Sequence, residues 1–261
     1  MTPYRIALAN LRHPASPEES ITLATTAITG AARQEAEIIC FPECFIPGYP
    51  PLPKLPPPPT PEFLDHAYAT IATAAAQARI NVILGTERYV NGSRYLTALV
   101  INKDGSIAGW QDKVQLDPLE DPAYAPASGR HIFQTGRLTF GIVICHEGWR
   151  YPETTRSVAC KGAQVVFHPH FDWAHPSGFM PQQFADPRNT FHEKAMLCRA
   201  AENSVYFASV TCAVPGSPTT SAVANPDGTL LCHQPHGQEG LLIADLDLDQ
   251  ATGFIASRLR S

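Results

Sequence analysis

Short apolar runs along the chain alternate with longer segments in which apolar residues recur at helical spacing. The short runs are typical of buried strands, and the longer segments are typical of helices that cover one face of a sheet. Strands outnumber helices, which predicts an α/β protein whose sheets carry helices on their outer faces. Strands are predicted around residues 6–8 and at 36–41, 81–85, 96–102, 138–144, 164–167, 205–210, 221–224, 230–232 and 240–246, and helices at 20–35, 62–78, from about 152, and at 189–203.

Residues 47–61 interrupt this alternation, because nine of the 25 prolines lie there. Proline lacks the backbone N–H that helices and central strands use, so the segment is predicted to form a stiff extended loop. A linker between two domains is the alternative. Strand and helix patterns resume directly after the segment, which favours a loop within a single domain spanning residues 1–261.

The net charge of -5 and the apolar content of 44% narrow the range of partners. The chain has no basic excess that would bind nucleic acid or an anionic membrane surface. No stretch approaches the about 20 apolar residues of a membrane span, and the N-terminus lacks a signal-peptide pattern. Seven cysteines, an odd number spread along the chain, indicate reduced thiols and a cytoplasmic protein. We therefore expect a small-molecule substrate.

Cys145 stands where an apolar strand ends and a helix is about to begin. A thiol at this position would face the free N–H groups of the turn and the positive end of the helix, both of which favour thiolate. The alternative is that Cys145 is an ordinary buried cysteine of the core.

Glu43 and Lys113 also follow predicted strands. Burial of Glu43 beside the apolar run 38–42 would raise its pKa towards the range of a general base. A solvated carboxylate and a surface lysine are the alternatives for the two residues. If the strand ends meet at one edge, however, Cys145, Glu43 and Lys113 supply a nucleophile, a base and a cation.

These residues and their neighbours resemble the motifs of the nitrilase, or carbon–nitrogen hydrolase, superfamily. Glu43 in Phe-Pro-Glu, Lys113, and Cys145 ahead of a Pro-Glu helix start match the order and spacing of the family's triad. Glu120 matches a second glutamate that many members carry. Matches continue at residues 199–203, 225–228 and 239–247, so the resemblance covers nearly the whole chain.

The resemblance implies a four-layer α-β-β-α sandwich that assembles into homodimers or larger homo-oligomers, with no metal and no organic cofactor. It also implies that Glu43 takes the proton of Cys145 as the thiol attacks. Lys113 and the backbone N–H of His146 would stabilise the oxyanion, and Glu120 would orient the substrate or support Lys113. A thioester would form and be hydrolysed by water that Glu43 activates.

The residues after Cys145 bear on the substrate. Residues 150–153, Arg-Tyr-Pro-Glu, are similar to the amidases, whereas Glu147 and the seven-residue step from Lys113 to Glu120 are compatible with nitrilases. Amide hydrolysis is favoured, with nitrile or N-carbamoyl hydrolysis as alternatives. A non-catalytic binding or assembly protein is the alternative from another class, and the four intact polar residues argue against it.

The segment 168–175 contains three histidines and an aspartate, which raises the possibility of a metal site. Two prolines, Pro169 and Pro176, give a stiff loop rather than a helix with ligands in register, so no metal is predicted. The resemblance implies that the segment after the strand at 164–167 lines the substrate pocket, so His170, Phe171 and Trp173 are predicted to form its wall. Because the proline-rich loop leaves the Glu43 strand within a few residues, Tyr49 and Leu52 are expected to contact the acyl group. Arg199 is predicted to pair with Glu202, and Arg150 is assigned either a structural ion pair or a substrate carboxylate.

Overall fold

Two six-stranded sheets form the centre of the structure, a computed structural model that describes residues 2–52 and 56–259. The first sheet has the order β12 (Gly240–Leu246), β1 (Tyr4–Asn10), β2 (Ile38–Cys40), β3 (Asn81–Val90), β4 (Ser93–Ile101) and β5 (Ile107–Asp112). The second has the order β11 (Leu230–His233), β10 (Ala222–Ala224), β9 (Tyr206–Val210), β8 (Val165–Pro169), β7 (Leu138–Ile142) and β6 (Ile132–Thr135). The helices are α1 (Pro17–Arg33), α2 (Pro61–Ala78), α3 (His146–Arg150), α4 (Pro152–Ala159), α5 (His192–Ala201) and α6 (Phe254–Ser257), with a 3₁₀ turn at Leu248–Gln250.

Alternate residues of the first sheet face opposite layers, as the pleat of a strand requires. Leu8 of β1 packs into the cluster that contains Phe140 and Phe167 of the second sheet. Its neighbour Ala7 packs into the cluster that contains Ile28 of α1 and Ile71 of α2. Helices α4 and α5 contact the strands of the second sheet. The layers are therefore α-β-β-α, and the predicted sandwich is confirmed.

The catalytic candidates lie at the ends of strands whose pairing is parallel. β1, β2 and β3 run parallel in the first sheet, and β7, β8 and β9 run parallel in the second. The carboxyl ends of parallel strands open at the same edge of a sheet, where ligands commonly bind. Glu43 follows the carboxyl end of β2 in the first sheet, and Cys145 follows the carboxyl end of β7 in the second sheet.

Helices α1 and α2 begin at capped positions close to the predicted starts. The Ser16 hydroxyl accepts from the N–H of Glu19 at 3.2 Å, and Thr60 accepts from Phe63 in the same way. A proline in the first turn of each helix has no N–H that needs a partner there. The second cap also explains why the proline-rich segment ends where α2 starts.

Four of these strands and α-helices have no predicted range: β5, which was expected only as a strand ending before Lys113, together with β6, α3 and α6. β6 was not predicted, because its four residues give too short an alternation to identify. α3 was not predicted either, because its five residues follow the nucleophile turn directly and carry no helical repeat. No helix in the described part of the chain is long and apolar enough to cross a membrane.

Candidate active site

Lys113 lies between two carboxylates in the interior. Its Nζ donates to Glu43 Oε1 at 2.7 Å and to Glu120 Oε1 at 2.8 Å, and all three residues are buried. The hydroxyl of Tyr49 donates to the same Glu120 oxygen at 2.7 Å. The structure thus brings together the residues that the sequence separates by up to 77 positions (43 to 120).

The backbone of Cys145 is fixed at a sharp turn between β7 and α3. Its φ of 50° is in a region that residues other than glycine rarely adopt, so the surrounding contacts must hold it there. The N–H of Cys145 donates to Pro169 O at 2.9 Å, and its carbonyl contacts His168 Nε2 at 2.9 Å. Residue 148 must be glycine for this contact, because a Cβ there would lie 2.5 Å from the His168 ring.

The turn and the short helix after it do not leave Cys145 as a resting thiolate, which agrees with the expectation that Glu43 takes the proton of a thiol as it attacks. Burial raises the pKa of Cys145 well above its ordinary value, the charge of Glu43 raises it further, and Lys113 opposes the shift only in part. The thiol accepts no hydrogen bond from α3, and its Sγ lies 3.8 Å from the carbonyl oxygen of Phe171. A five-residue helix therefore does not ionise this side chain, and the proton must leave as the thiol reacts.

The expected rise in the pKa of Glu43 is confirmed. Burial raises the pKa of Glu43 to about 7, against the opposing charge of Lys113 and with a contribution from Glu120. Burial is the largest single influence on Lys113 and lowers its pKa, but its acidic neighbours, Glu43 first among them, together outweigh burial and hold the pKa of Lys113 well above its usual value. The arrangement therefore pairs a proton acceptor that titrates near neutral pH with a permanent cation.

A cavity of about 440 Å³ opens onto Cys145. Tyr49, Phe171 and Trp173 form an aromatic wall, with Tyr49 stacked on Phe171 at 4.8 Å. Leu52 and His146 also line the cavity, so five predicted contacts lie at this pocket. Residues that the sequence did not indicate for this role line it as well, and among them are Asp117, Leu119, Trp149, Asp172, Thr190 and His192.

The prediction that His170 lines the pocket is wrong. Its side chain is fully buried, with its ring 4.7 Å from Trp149 and 5.0 Å from His168. The N–H of His170 donates to Val210 O at 2.9 Å, which extends the pairing of β8 with β9. The strand pleat therefore turns this side chain into the core and leaves Phe171 to face the cavity.

Among its described residues, the proline-rich segment borders the pocket through its first part. Tyr49 and Leu52 line the cavity at Cys145, whereas residues 56–59 line a separate cavity of about 220 Å³. Residues 53–55, which complete the predicted loop, lie outside the described part of the chain.

Comparison with known proteins places this geometry in a family. The model of the carbon–nitrogen hydrolase family matches residues 5–256. The chain belongs to the carbon–nitrogen hydrolases. A nitrilase from Pyrococcus abyssi is 27% identical over 248 residues, which cover 89% of this chain and 85% of the relative. An omega-amidase from Homo sapiens is 25% identical over 264 residues, with coverage of 95% and 90%.

The fold has a close match among solved structures. A mutant of the amidase from Nesterenkonia sp. AN1, showing covalent addition of the acetamide moiety of fluoroacetamide at the active site cysteine, aligns with a TM-score of 0.80. It is 23% identical and covers 99% of this chain and 95% of its own. At that identity the similarity shows the fold, which is the predicted one.

Glu147 is a buried residue of this carbon–nitrogen hydrolase that the sequence marked only as a sign of the subfamily. Its Oε1 accepts from Ile144 N at 2.8 Å, and its Oε2 accepts from Arg130 Nη2 at 2.7 Å. The same Oε2 accepts from the N–H groups of Val114 and Gln115 at 3.2 Å. Glu147 thereby joins the Cys145 turn to the segment directly after Lys113.

Glu87 has a similar bridging position and was not predicted. It is buried on β3, where its Oε1 accepts from Tyr124 Oη at 2.7 Å and lies 3.5 Å from Cys44 Sγ. Arg94 Nε lies 3.3 Å from Oε2. Cys44 is the neighbour of Glu43, and the N–H of Tyr124 donates to Glu120 O at 3.0 Å. One carboxylate therefore joins the two loops that carry the partners of Lys113.

Arg199 and Arg150 have different surroundings. Arg199 pairs with Glu202 at 3.2 Å as predicted, and it also donates to the carbonyl oxygens of Gly148 and Trp149 at the end of α3. Arg150 lines the pocket from an exposed position and stacks over the ring of Phe191 at 4.3 Å. No cluster of three or more His, Cys, Asp or Glu suited to a metal ion occurs among residues 2–52 and 56–259.

Proposed function

We propose that this carbon–nitrogen hydrolase cleaves a small carboxamide through a thioester on Cys145. The observation that carries the proposal is the Lys113 ammonium held between Glu43 and Glu120, close enough to Cys145 for these charges to shift the pKa of the thiol. A buried lysine with two carboxylate partners has a fixed position, so it can meet developing negative charge without reorganisation. The family membership supports the same chemistry.

The first half-reaction begins with a neutral thiol. Glu43 accepts the proton as Cys145 Sγ forms a bond to the carbonyl carbon, and the carbonyl π electrons move to oxygen. Lys113 stabilises the resulting oxyanion. The N–H of His146 contributes a second donor, because the first residues of a helix have no acceptor within it. Glu43 then returns the proton to the departing nitrogen, the C–N bond breaks, and ammonia leaves a thioester.

The second half-reaction uses the same groups in reverse. Glu43 takes a proton from water as the water oxygen attacks the thioester carbon. The C–S bond breaks, the thiol recovers its proton, and the carboxylic acid leaves. Glu120 and Tyr49 act through Lys113, whose ammonium they hold at 2.8 Å from the Glu120 carboxylate.

The amide is favoured over the alternatives by residues 150–153, and the omega-amidase relative is consistent with it. A nitrile is the second candidate, because the chain resembles a nitrilase to a similar degree. We further propose that the chain acts as one domain in the cytoplasm, as a homodimer or larger homo-oligomer. All seven cysteines are free, which supports a reducing compartment.

Ammonia release from amides, nitriles and N-carbamoyl compounds with the same acyl chain tests the proposal. We expect the amide to give the highest kcat/KM and the rapidly quenched enzyme to gain the acyl mass at Cys145. Cys198→Ala is the control, because that thiol is exposed, and this variant should keep both signals. A non-catalytic binding protein would release no ammonia and carry no adduct. A higher kcat/KM for the nitrile would transfer the assignment to nitrile hydrolysis.

A further inference from the structure

We infer that Asp172 binds a positively charged amino group at the far end of the substrate, so that the preferred substrates are carboxamides with an ω-ammonium group. The inference deepens the proposed function and rests on it. Asp172 directly follows Phe171 after β8 and lines the cavity that opens onto Cys145. The site assigned to the substrate tail therefore lies in the same cavity as the nucleophile.

The carboxylate of Asp172 has little compensation within the described residues. Its one hydrogen-bond partner there is the Thr219 hydroxyl, at a long 3.5 Å from Oδ2, and no Lys, Arg or His nitrogen lies within ion-pair distance. The other carboxylate of the cavity, Asp117, differs in this respect. It lies 3.1 Å from His146 Nδ1 and accepts the N–H of Leu119 at 3.0 Å. Of the two carboxylates that line the cavity, Asp172 is therefore the one available to bind a ligand.

Burial of Asp172 makes the binding of a cation favourable. Desolvation raises the pKa of Asp172 to about 7, and the Thr219 hydroxyl lowers it only in part. A carboxylate in such an environment is stabilised when a cation arrives, because the charge is then paired. A neutral alkyl tail would leave the same charge without a partner.

The rings around Asp172 favour a cation as well. Phe171 and Trp173 flank it in the sequence, contact each other edge to face at 4.7 Å, and line the same cavity. Tyr49 stacks on Phe171. Aromatic faces attract ammonium groups through their quadrupole and give no such attraction to anions. Carboxylate and rings therefore select for the same charge.

Arg150 is the competing feature, since it also lines the cavity and would attract an anionic tail. Its guanidinium is exposed and lies over Phe191, so its charge is well solvated. Asp172 is more enclosed and has the weaker compensation, which is why the cationic tail is the stronger expectation.

The test compares three series of linear amides with two to five methylenes, whose tails end in ammonium, methyl or carboxylate. We expect the wild type to favour the ammonium series over the methyl series by at least about tenfold in kcat/KM at the best length, which is the discrimination a charged pair supports. Asp172→Asn, which keeps a partner for Thr219, should reduce that preference at least about tenfold through KM and leave the methyl series within about threefold. Asp172→Ala serves as a second variant with the same expected loss. The control is Asp65→Asn, which removes an exposed carboxylate on α2 and should change neither series.

Two results would overturn the inference: no preference for ammonium at any length, or an equal loss for both series in Asp172→Asn. A preference for the carboxylate series would also overturn it and assign the tail to Arg150. Calorimetry of the ammonium series with Cys145→Ala, alone and combined with Asp172→Asn, separates this inference from the proposed function. Weaker binding in the double variant supports Asp172 even if no amide is turned over, and equal binding rejects it.

Discussion

Replacing Lys113 by methionine would leave Glu43 and Glu120 in the interior without the cation they share. Both carboxylates are buried, and their oxygens lie 2.7 and 2.8 Å from Nζ. Methionine keeps most of the length and apolar volume of the lysine stem, so the change acts mainly on charge. Loss of one partner of a buried ion pair costs about 3–5 kcal/mol. Each kcal/mol lowers Tm by about 2–4 °C in a domain of this size, so Tm should fall by roughly 10 °C.

The loss of stability in Lys113→Met should depend on pH and should grow as pH rises. The charge of Lys113 lowers the pKa of Glu43, so the variant should have a pKa for Glu43 above the value of about 7 found with the lysine present. A carboxyl whose folded pKa is raised contributes stability at low pH that is lost as pH rises through the folded pKa. Wild type finishes losing this contribution near pH 7, whereas the variant continues to lose it above pH 7. The deficit in the free energy of unfolding should therefore be larger at pH 8.5 than at pH 6.

Urea unfolding at these two pH values measures the deficit, and ammonia release measures activity. Activity should fall at least about 100-fold, the effect of losing one donor to an oxyanion. Lys103→Met removes an exposed lysine and should alter neither quantity. Combining Lys113→Met with Glu43→Gln removes a charge without a partner and should restore part of the stability. A deficit below about 1 kcal/mol, or one that is equal at both pH values and unrelieved in the double variant, would refute the reasoning.

Four further outcomes follow from the site. Cys145→Ala should remove turnover and keep Tm near wild type, and residual activity within tenfold would exclude Cys145 as nucleophile. The kcat/KM should rise with pH and reach half its maximum near pH 7, because only ionised Glu43 accepts the thiol proton; a flat profile from pH 5.5 to 8 would contradict that role. Glu87→Gln should lower kcat about tenfold with little change in KM, since it weakens the link between the loops of Glu43 and Glu120; an unchanged kcat would show that this link does not position them. Dialysis against EDTA should leave the rate unchanged, and a loss reversed by zinc would reveal a metal requirement.

The sequence identified Glu43, Lys113 and Cys145 because each follows a strand, and strand ends are visible in the pattern of apolar residues. It did not identify Glu87 or Glu147 as buried links. Their role depends on donors from distant segments, such as Arg94 with Tyr124 and Arg130 with Val114, and no local pattern records those contacts.

The side-chain direction of His170 and the protonation of Cys145 both depend on surroundings that the local sequence does not record. His170 was placed in the pocket from its position after a strand, but the direction of its side chain depends on how β8 continues into its pairing with β9. For Cys145, the sequence suggested that the N–H groups of the turn and a helix beginning near Pro152 would favour thiolate. The turn instead begins a five-residue helix, and burial outweighs its dipole.

The division of the site between the two sheets has a mechanical consequence. Glu43 and Lys113 belong to one sheet and Cys145 to the other, so the reacting groups keep their spacing only while the sheets keep their mutual position. The core between the sheets, whose cluster includes Leu8, Phe140 and Phe167, sets how the two sheets are aligned. A cavity or an extra methyl group in this core would shift one sheet against the other by a fraction of an ångström. Misalignment of this size slows a reaction long before it unfolds a protein. Substitutions in the core between the sheets can therefore change the catalytic rate in this fold, even when the residues that touch the substrate stay the same.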